Sequence, residues 1–229
     1  MCAHVASGWL RGNSRVSGFK QKASFCILIL YYVIAVASIL GWWNVKVLSP
    51  KFGDDPNNEM VEDAKLSQEF QQISVDAENG DAKAQYNLGE MYRKGEGVLD
   101  NDREAVKWYR KAAEQGLAEA QNALGVMYNR GMGVEQDSKE AVKWYHKAAE
   151  QGHAKGQSNL GGMYNAGIGV EKDLVTGYAW SDIAAGNGYQ SAINNKSLII
   201  KEMTPDQIAE AEALIKEMTS KNPRLLNEQ

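Results

Sequence analysis

The feature that most constrains this chain is a sequence motif that returns every 36 residues. The segment LGEMYRKGEGV at 88–98 recurs as LGVMYNRGMGV at 124–134 and as LGGMYNAGIGV at 160–170. Each copy is followed by a second related segment, at 104–116, 140–152 and 176–188. A fixed period of this length predicts an array of stacked structural units that share one continuous core.

Both segments of each copy have the periodicity of an amphipathic helix, so each unit is predicted to be a pair of helices. Apolar residues recur at helical spacing, and polar residues occupy the opposite side. In the first copy the predicted buried stripes are Ala84, Leu88, Met91 and Tyr92 in the first helix, and Ala105, Trp108, Tyr109 and Ala112 in the second.

Helix ends are marked by capping residues and glycines. Asn101 with Glu104, and Asp137 with Glu140, have the spacing of a capping box, whereas the third copy keeps only Asp173. Glycine follows the last periodic residue of each second helix, where a left-handed terminating conformation favours it. A Gly-x-Gly pair lies between the two helices of every copy, and it predicts a tight turn there.

The repeated segments LGxMYxxGxGV and AVKWYxKAAEQG, with their 36-residue period, closely resemble the Sel-one-like repeat family, relatives of tetratricopeptide repeats. The resemblance implies an all-α protein, a right-handed α-solenoid of antiparallel helix pairs. It covers full repeats at 81–116, 117–152 and 153–188.

The flanks of the repeats contain weaker signs of the same pattern. Residues 60–79 look like the second helix of a degenerate leading repeat, and 189–201 look like a further first helix. Thr204 with Gln207 forms a capping box around Pro205, which predicts a last helix. The solenoid is therefore predicted to extend from 59 to 229, with atypical end units that present polar faces to water.

Charge divides the chain into two parts. The first 50 residues contain five basic and no acidic residues, whereas the remainder contains 20 basic and 29 acidic residues. Neutralising nucleic acid phosphates requires a basic stripe, so the acidic array argues against nucleic acid as a partner.

Residues 23–45 contain no charged side chain and are long enough to cross a bilayer as a helix. Basic residues precede this segment and Trp42 and Trp43 close it, so the positive-inside rule predicts a cytoplasmic tail at 1–22 and repeats on the extracytoplasmic side. Residues 46–58 are predicted to be a linker. The alternative is a signal peptide cleaved near Ala35–Ala37. Cleavage would release the array as a secreted host-interaction factor, which engages a host or neighbouring cell, as the family resemblance permits.

Motifs that could hold a cofactor or a metal have simpler explanations. The Gly-x-Gly turns lack the preceding strand and third glycine of a nucleotide-binding fingerprint. His146 and His153 lack the further ligands of a zinc site, which favours a solvated helix surface for His146. Ser17 and Lys20 match the spacing of penicillin-recognising enzymes without the companion motifs. No cofactor and no metal are predicted.

Trp108, Trp144 and Trp180 recur at the same position of each second helix. They could form an aromatic binding box, but equal spacing at the repeat period favours packing between repeats.

The positions that differ among copies are the candidates for recognition. In tetratricopeptide-like arrays the first helices line the concave surface, so the resemblance implies that their free face lines a groove. The predicted free face consists of Tyr86, Asn87, Glu90, Arg93, Asn122, Val126, Asn129, Arg130, Ser158, Asn159 and Asn165. All of these except Arg130 and Ser158 are predicted to contact a partner. Asparagine amides both donate and accept hydrogen bonds, which suits the backbone of an extended peptide.

The sequence thus predicts a non-catalytic, membrane-anchored module that binds a protein or peptide in its groove. Cysteine-rich members of the family are associated with β-lactamase activity and penicillin binding, so the resemblance implies a hydrolase of β-lactams or cell-wall fragments as an alternative. The chain lacks the cysteine pairs that define that branch.

Overall fold

The computed structural model describes residues 56–226, with side chains from residue 65 onwards. This part contains nine α-helices, a closing 3-10 turn and no strand. The helices are α1 Pro56–Glu78, α2 Ala82–Lys94, α3 Asp102–Glu114, α4 Ala118–Arg130, α5 Ser138–Glu150, α6 Ala154–Ala166, α7 Leu174–Gly186, α8 Gln190–Ile199 and α9 Pro205–Lys221, and the 3-10 turn is Pro223–Leu225.

From α1 to α8 each helix packs against the next one, as in a solenoid. Within the repeats α2 pairs with α3, α4 with α5 and α6 with α7, and each second helix also packs on the first helix of the next repeat. The all-helical array predicted from the period is confirmed for this part of the chain.

The predicted tail, the apolar segment and residues 46–55 of the predicted linker lie outside the described residues. Helix α1 begins at Pro56, three residues before the predicted start of the solenoid. Among residues 56–226, no helix combines the length and the apolar character needed to cross a bilayer.

The recurring tryptophans pack between helices. Trp144 and Trp180 are 8% and 5% exposed, and both belong to buried clusters that join neighbouring repeats. Trp108 is half-buried and packs against the cluster of Ala77, Ala84 and Leu88. The interpretation of the tryptophans as packing residues is therefore confirmed, because none of the three rings stands free in solvent.

A helical glycine in each first helix makes room for the second helix of the same repeat. A Cβ added at Gly89 or Gly125 would lie 2.7 Å from the ring of Tyr109 or Tyr145, respectively. In the third repeat Gly161 faces Ser181, whose Oγ would be 2.5 Å from such a Cβ. These glycines allow the two helices to approach closely, and larger residues would push them apart.

The second glycine of each Gly-x-Gly turn contacts the preceding repeat. A Cβ at Gly133 or Gly169 would lie 2.3 Å from the carbonyl oxygen of Asp102 or Ser138, respectively. Both glycines also have positive φ, at 66° and 73°. Their place is architectural, since the turn touches the start of a neighbouring helix there.

The capping boxes predicted at α3 and α5 are only half correct. The side chains of Asn101 and Asp137 accept hydrogen bonds from the backbone of their helices. Their own backbone N–H groups donate to the carbonyls of Tyr92 and Tyr128, at 2.7 and 3.0 Å. These two hydrogen bonds take the place of the ones that the side chains of Glu104 and Glu140 would accept in a capping box. At α9 the predicted box is confirmed, because Thr204 and Gln207 exchange both hydrogen bonds.

Buried glutamines join each repeat to the one before it. Gln121 is 5% exposed, and its Nε2 donates to the carbonyl of Ala113 at 3.1 Å. Its Oε1 accepts from Gln151 Nε2 at 2.8 Å. Gln85 and Gln157 occupy the same position in the other repeats and make equivalent contacts. We call this set the glutamine ladder.

The two ends of the array are closed differently. Glu69 and Asp76 of α1 lie one repeat period before the buried Ala105 and Ala112, at the corresponding helix positions. The outer face of α1 is therefore polar. At the other end α9 packs mainly on α7 and leads into the 3-10 turn, where Leu225 is 3% exposed. The expectation of atypical end units is met by a polar helix on one side and a docked tail on the other.

The close approach at Gly125 gives a stability prediction. Gly125→Ala is expected to destabilise the fold by about 1–3 kcal/mol, because the new methyl group overlaps the Tyr145 ring. Urea unfolding of the full chain in mild detergent, followed by circular dichroism, measures the change. Gly162 is the matched control, since it is helical and a Cβ there meets no atom within 4 Å. Gly162→Ala should be neutral or stabilising by up to about 1 kcal/mol. Equal effects at both positions would contradict the packing argument.

The N-cap of α6 gives a prediction about pH. His153 Nδ1 accepts from the backbone N–H of Gly156 at 3.0 Å, which requires an unprotonated Nδ1. Burial lowers the pKa of His153 below its ordinary value. The stabilisation of the fold by this cap is therefore fully present above about pH 6.5, and it is lost as the pH falls towards the lower folded-state pKa.

His153→Asn keeps an accepting cap but cannot titrate. Lowering the pH from about 7 to about 5 is expected to destabilise the wild type by about 1 kcal/mol more than it destabilises His153→Asn. Urea unfolding across this range measures it. A difference that stays constant with pH would show that the imidazole does not act as the cap.

Candidate partner-binding groove

A groove of about 400 Å³ crosses the first helices of the three repeats. Its residues come from α2, α4 and α6, from Tyr109 of α3, and from the turns that precede α5 and α8. They are Tyr86, Glu90, Arg93, Tyr109, Asn122, Ala123, Val126, Met127, Arg130, Met132, Lys155, Asn159 and Tyr189. We refer to this surface as the groove.

Most of the residues predicted to face a groove do line it. Six of the nine predicted contact residues are there, namely Tyr86, Glu90, Arg93, Asn122, Val126 and Asn159. Arg130, which the sequence places on the same free face, lines it as well. Their part in binding stays a prediction.

Asn87 points away from the groove, although it occupies the same position within its repeat as Asn159 does. Asn159 faces the preceding repeat, where its Nδ2 donates to Asn122 Oδ1 at 2.8 Å. Asn87 belongs to the first repeat, and it lines a separate shallow pocket beside Ile73 of α1. The placement of Asn87 in the groove is therefore wrong, because no first helix of a repeat precedes it in the described array.

Asn129 and Asn165 are also wrongly placed on the free face. They share a register with Arg93, whose longer side chain reaches the groove. The Oδ1 of Asn129 accepts from Ser138 Oγ at 3.3 Å, so this side chain serves the turn. The Oδ1 of Asn165 is buried and has no hydrogen-bond partner among the described residues.

Two other residues of the predicted face are more buried than expected. Asn122 and Ser158 are 5% and 4% exposed. They share a register with Tyr86, which is large enough to remain half exposed. A small side chain at this position is covered by the neighbouring first helices, and periodicity within one helix cannot reveal that.

At one end of the groove a carboxylate is held by three donors. Glu90 accepts from the Tyr109 hydroxyl at 2.5 Å and from Arg93 Nη2 at 2.8 Å, and Lys94 Nζ lies 3.4 Å away. Burial by itself raises the pKa of Glu90, but the hydrogen bonds from Arg93 and Tyr109 outweigh it and lower the pKa to about 2. Glu90 is therefore ionised at any physiological pH, and its charge is neutralised locally.

Tyr109 is a groove residue that the sequence assigns only to the core. Its ring is buried against Gly89, and its hydroxyl extends to Glu90. Burial and the Glu90 carboxylate raise the pKa of Tyr109, so it acts as a donor and not as a base. A tyrosine in place of a phenylalanine at a packing position is the sequence signal that could have indicated this role.

Lys155 and Tyr189 are further groove residues that the sequence did not single out. Lys155 is the second residue of α6, and Tyr189 directly precedes α8. Both lie at the beginning of a first helix, whereas the predicted face was drawn from the middle and end. Lys155 is exposed, as is Arg130 at the end of α4.

The described histidines have structural contacts. His146 Nδ1 lies 3.4 Å from Glu150, and its ring meets the edge of Trp180. His153 caps α6. Within the residues that the structure describes, no three His, Cys, Asp or Glu side chains are placed to hold a metal ion.

The repeats are similar in sequence to known proteins. The family model described as Sel1 repeat matches residues 82–117, 118–153 and 154–189. A sel1-like repeat-containing protein of Acanthamoeba polyphaga mimivirus is 44% identical over 41 residues, which are 18% of this chain and 7% of the viral protein.

Two solved structures share the fold. A protective antigen present in uropathogenic Escherichia coli strains, displaying an SLR fold, is 36% identical with a TM-score of 0.63, over 70% of this chain and 36% of that one. A Sel1 repeat protein from Oxalobacter formigenes is 38% identical with a TM-score of 0.56, over 61% of this chain and 58% of that one. This chain thus spans less than two thirds of each. Residues 82–189 thus form three consecutive Sel1 repeats, and both solved structures share this repeat fold.

Proposed function

We propose that the groove binds an extended segment of a partner protein and that the repeat array acts as a non-catalytic scaffold. Sel1 repeat proteins are generally protein-interaction scaffolds. The observation that carries the proposal is that one groove collects six of the nine first-helix residues predicted to contact a partner, at positions that differ among the three repeats. The positions that remain constant are used for packing between helices.

The chemistry of the groove suits a peptide. Ala123, Val126 and Met127 provide an apolar floor, and Tyr86 and Tyr189 provide aromatic side chains. An apolar floor with a few polar groups can hold side chains and orient a backbone. The groove lining contains no Ser, Cys or His, so it offers no nucleophile and base of the kind that a β-lactam hydrolase would require.

We further propose that residues 23–45 anchor the protein in a membrane, with the tail in the cytoplasm and the repeats on the other side. The absence of charge over this segment and the basic residues before it support the proposal. An anchor would keep the groove close to partners at the membrane. Cleavage near Ala35–Ala37, with secretion, is the competing outcome.

A photo-crosslinking amino acid tests the groove in the cell that makes the protein. Placed at Tyr86 or Tyr189 of the full chain, p-benzoylphenylalanine is expected to give a discrete protein adduct, because both side chains line the groove. Lys107 is the control position, since it is exposed on α3 and outside the groove. Denaturing gels and mass spectrometry of the adducts provide the measurement.

A second substitution links the adduct to the groove. Val126→Trp fills the floor and should reduce adduct yield at least about tenfold, while circular dichroism shows unchanged helical content. Adducts of equal yield at Tyr86, Tyr189 and Lys107, or adducts unaffected by the filled groove, would contradict the proposed function.

Fractionation tests the anchor. The full chain is expected to stay in the membrane pellet after alkaline carbonate washing and to keep its original N-terminus, because a charge-free segment of this length is stable in a bilayer. Intact-mass analysis and immunoblotting of the fractions measure both properties. Recovery of a shortened protein from the soluble fraction would favour cleavage and secretion.

A further inference from the structure

We infer that the peptide held in the groove is acidic, with carboxylates near both ends of the bound segment. This inference rests on the proposed function and adds the chemical class of the ligand.

The first step is the balance of charge along the groove. Its lining contains one acidic residue, Glu90, and three basic residues, Arg93, Arg130 and Lys155. Arg93 and Lys94 already neutralise Glu90. Arg130 and Lys155 form no ion pair with any described residue, so the groove carries two uncompensated positive charges.

The second step is the position of these two charges. Arg130 is the last residue of α4, whereas Lys155 is the second residue of α6. Neighbouring first helices run in the same direction, so the two positions are about 11 residues, or about 16 Å, apart along the helix axis. The two cations also lie on different helices, whose axes are about 9 Å apart, so their total separation is about 19 Å. An extended peptide rises about 3.3 Å per residue, so carboxylates about six residues apart, which project from the same face of the strand, would meet both cations.

The third step is the amide pair between the cations. Asn122 and Asn159 share one hydrogen bond of 2.8 Å across two repeats. Each amide has further hydrogen-bonding capacity, so the pair still offers one donor and one acceptor whichever way the amides are oriented. A peptide backbone unit has the complementary acceptor and donor, and the pair can bind the backbone while the cations bind the side chains.

The surroundings favour an acidic peptide over a nucleic acid or a basic partner. From residue 51 onwards the chain has 29 acidic and 20 basic residues, so the groove is a basic site on an acidic protein. A nucleic acid, with a phosphate at every nucleotide, would be repelled by the acidic surface beyond two free cations. A basic partner would be attracted to the whole surface, whereas an acidic one is attracted only at the groove.

Selection from a random peptide library tests the inference. The full chain is immobilised in mild detergent and incubated with a library of random 12-residue peptides. Peptides that bind wild type and do not bind Val126→Trp are expected to be enriched in Asp or Glu at two positions about six residues apart. In Arg130→Glu/Lys155→Glu the enrichment should change to Lys and Arg, and the Kd of a wild-type consensus peptide should rise at least about tenfold.

The matched control changes the net charge equally but outside the groove. Arg103 and Lys139 are exposed, share one register near the start of α3 and α5, and form no ion pair with a described residue. Arg103→Glu/Lys139→Glu should leave the Kd within about twofold of wild type, because the charges lie away from the ligand. An equal loss in both double variants would overturn a local role for Arg130 and Lys155.

The remaining outcomes separate the two proposals. Groove-dependent peptides without acidic enrichment would overturn the inference and leave the proposed function intact. No groove-dependent peptide at all would contradict the proposed function and the inference with it. Tighter groove-dependent binding of a single-stranded oligodeoxynucleotide than of any selected peptide would also overturn the inference.

Discussion

The hydrogen bonds of the glutamine ladder are the constraint on which the rest of the array depends. In each repeat a buried first-helix glutamine donates to a carbonyl of the preceding second helix and accepts from an amide at the end of its own repeat. An unpaired buried amide costs about 1–3 kcal/mol, so a change of register between repeats would be penalised at every step. Apolar packing alone tolerates sliding, whereas these directional bonds do not. The ladder therefore gives all repeats the same spacing, which allows side chains from three of them to form one continuous surface.

Fixed packing positions leave few places where the repeats can differ. Tryptophans, the glycines beneath Tyr109 and Tyr145, and the glutamines occupy the interfaces between helices. The remaining first-helix positions carry most of the chemistry of the groove, and the residues at these positions vary among the repeats. Charge illustrates this division, since Glu90 of the first repeat is neutralised within its own helix, whereas Arg130 and Lys155 of the next two repeats form no ion pair with a described residue. In the proposed function, specificity is assembled across repeats, because each repeat contributes only part of the groove.

A stack of this kind also needs defined ends, because each repeat exposes apolar surface until a neighbour covers it. Helix α1 provides one end with polar residues at positions that are alanine or glycine in the full repeats. The other end is closed by the chain after α9. Asn187 Nδ2 and Gln157 Nε2 both donate to the carbonyl of Leu225, at 2.7 and 2.9 Å. The tail thus extends the hydrogen bonds of the ladder beyond the last repeat and buries Leu225 beside them.

Period and helical spacing were sufficient to predict the helix pairs, the packing tryptophans and the turn glycines. Together with the family resemblance, which implies that the first helices line a groove, they also predicted six of the nine residues proposed to line it. These features depend on distances along one helix or on repetition, and both can be read from a linear sequence. Contacts between repeats could not be predicted in this way. Tertiary packing buried Asn122, turned Asn87 towards α1, used Asn129 in a turn and satisfied the N-cap amides with tyrosine carbonyls. It also brought Lys155 and Tyr189 into the groove, because a position at the start of one helix becomes a neighbour of another helix only when the repeats are stacked.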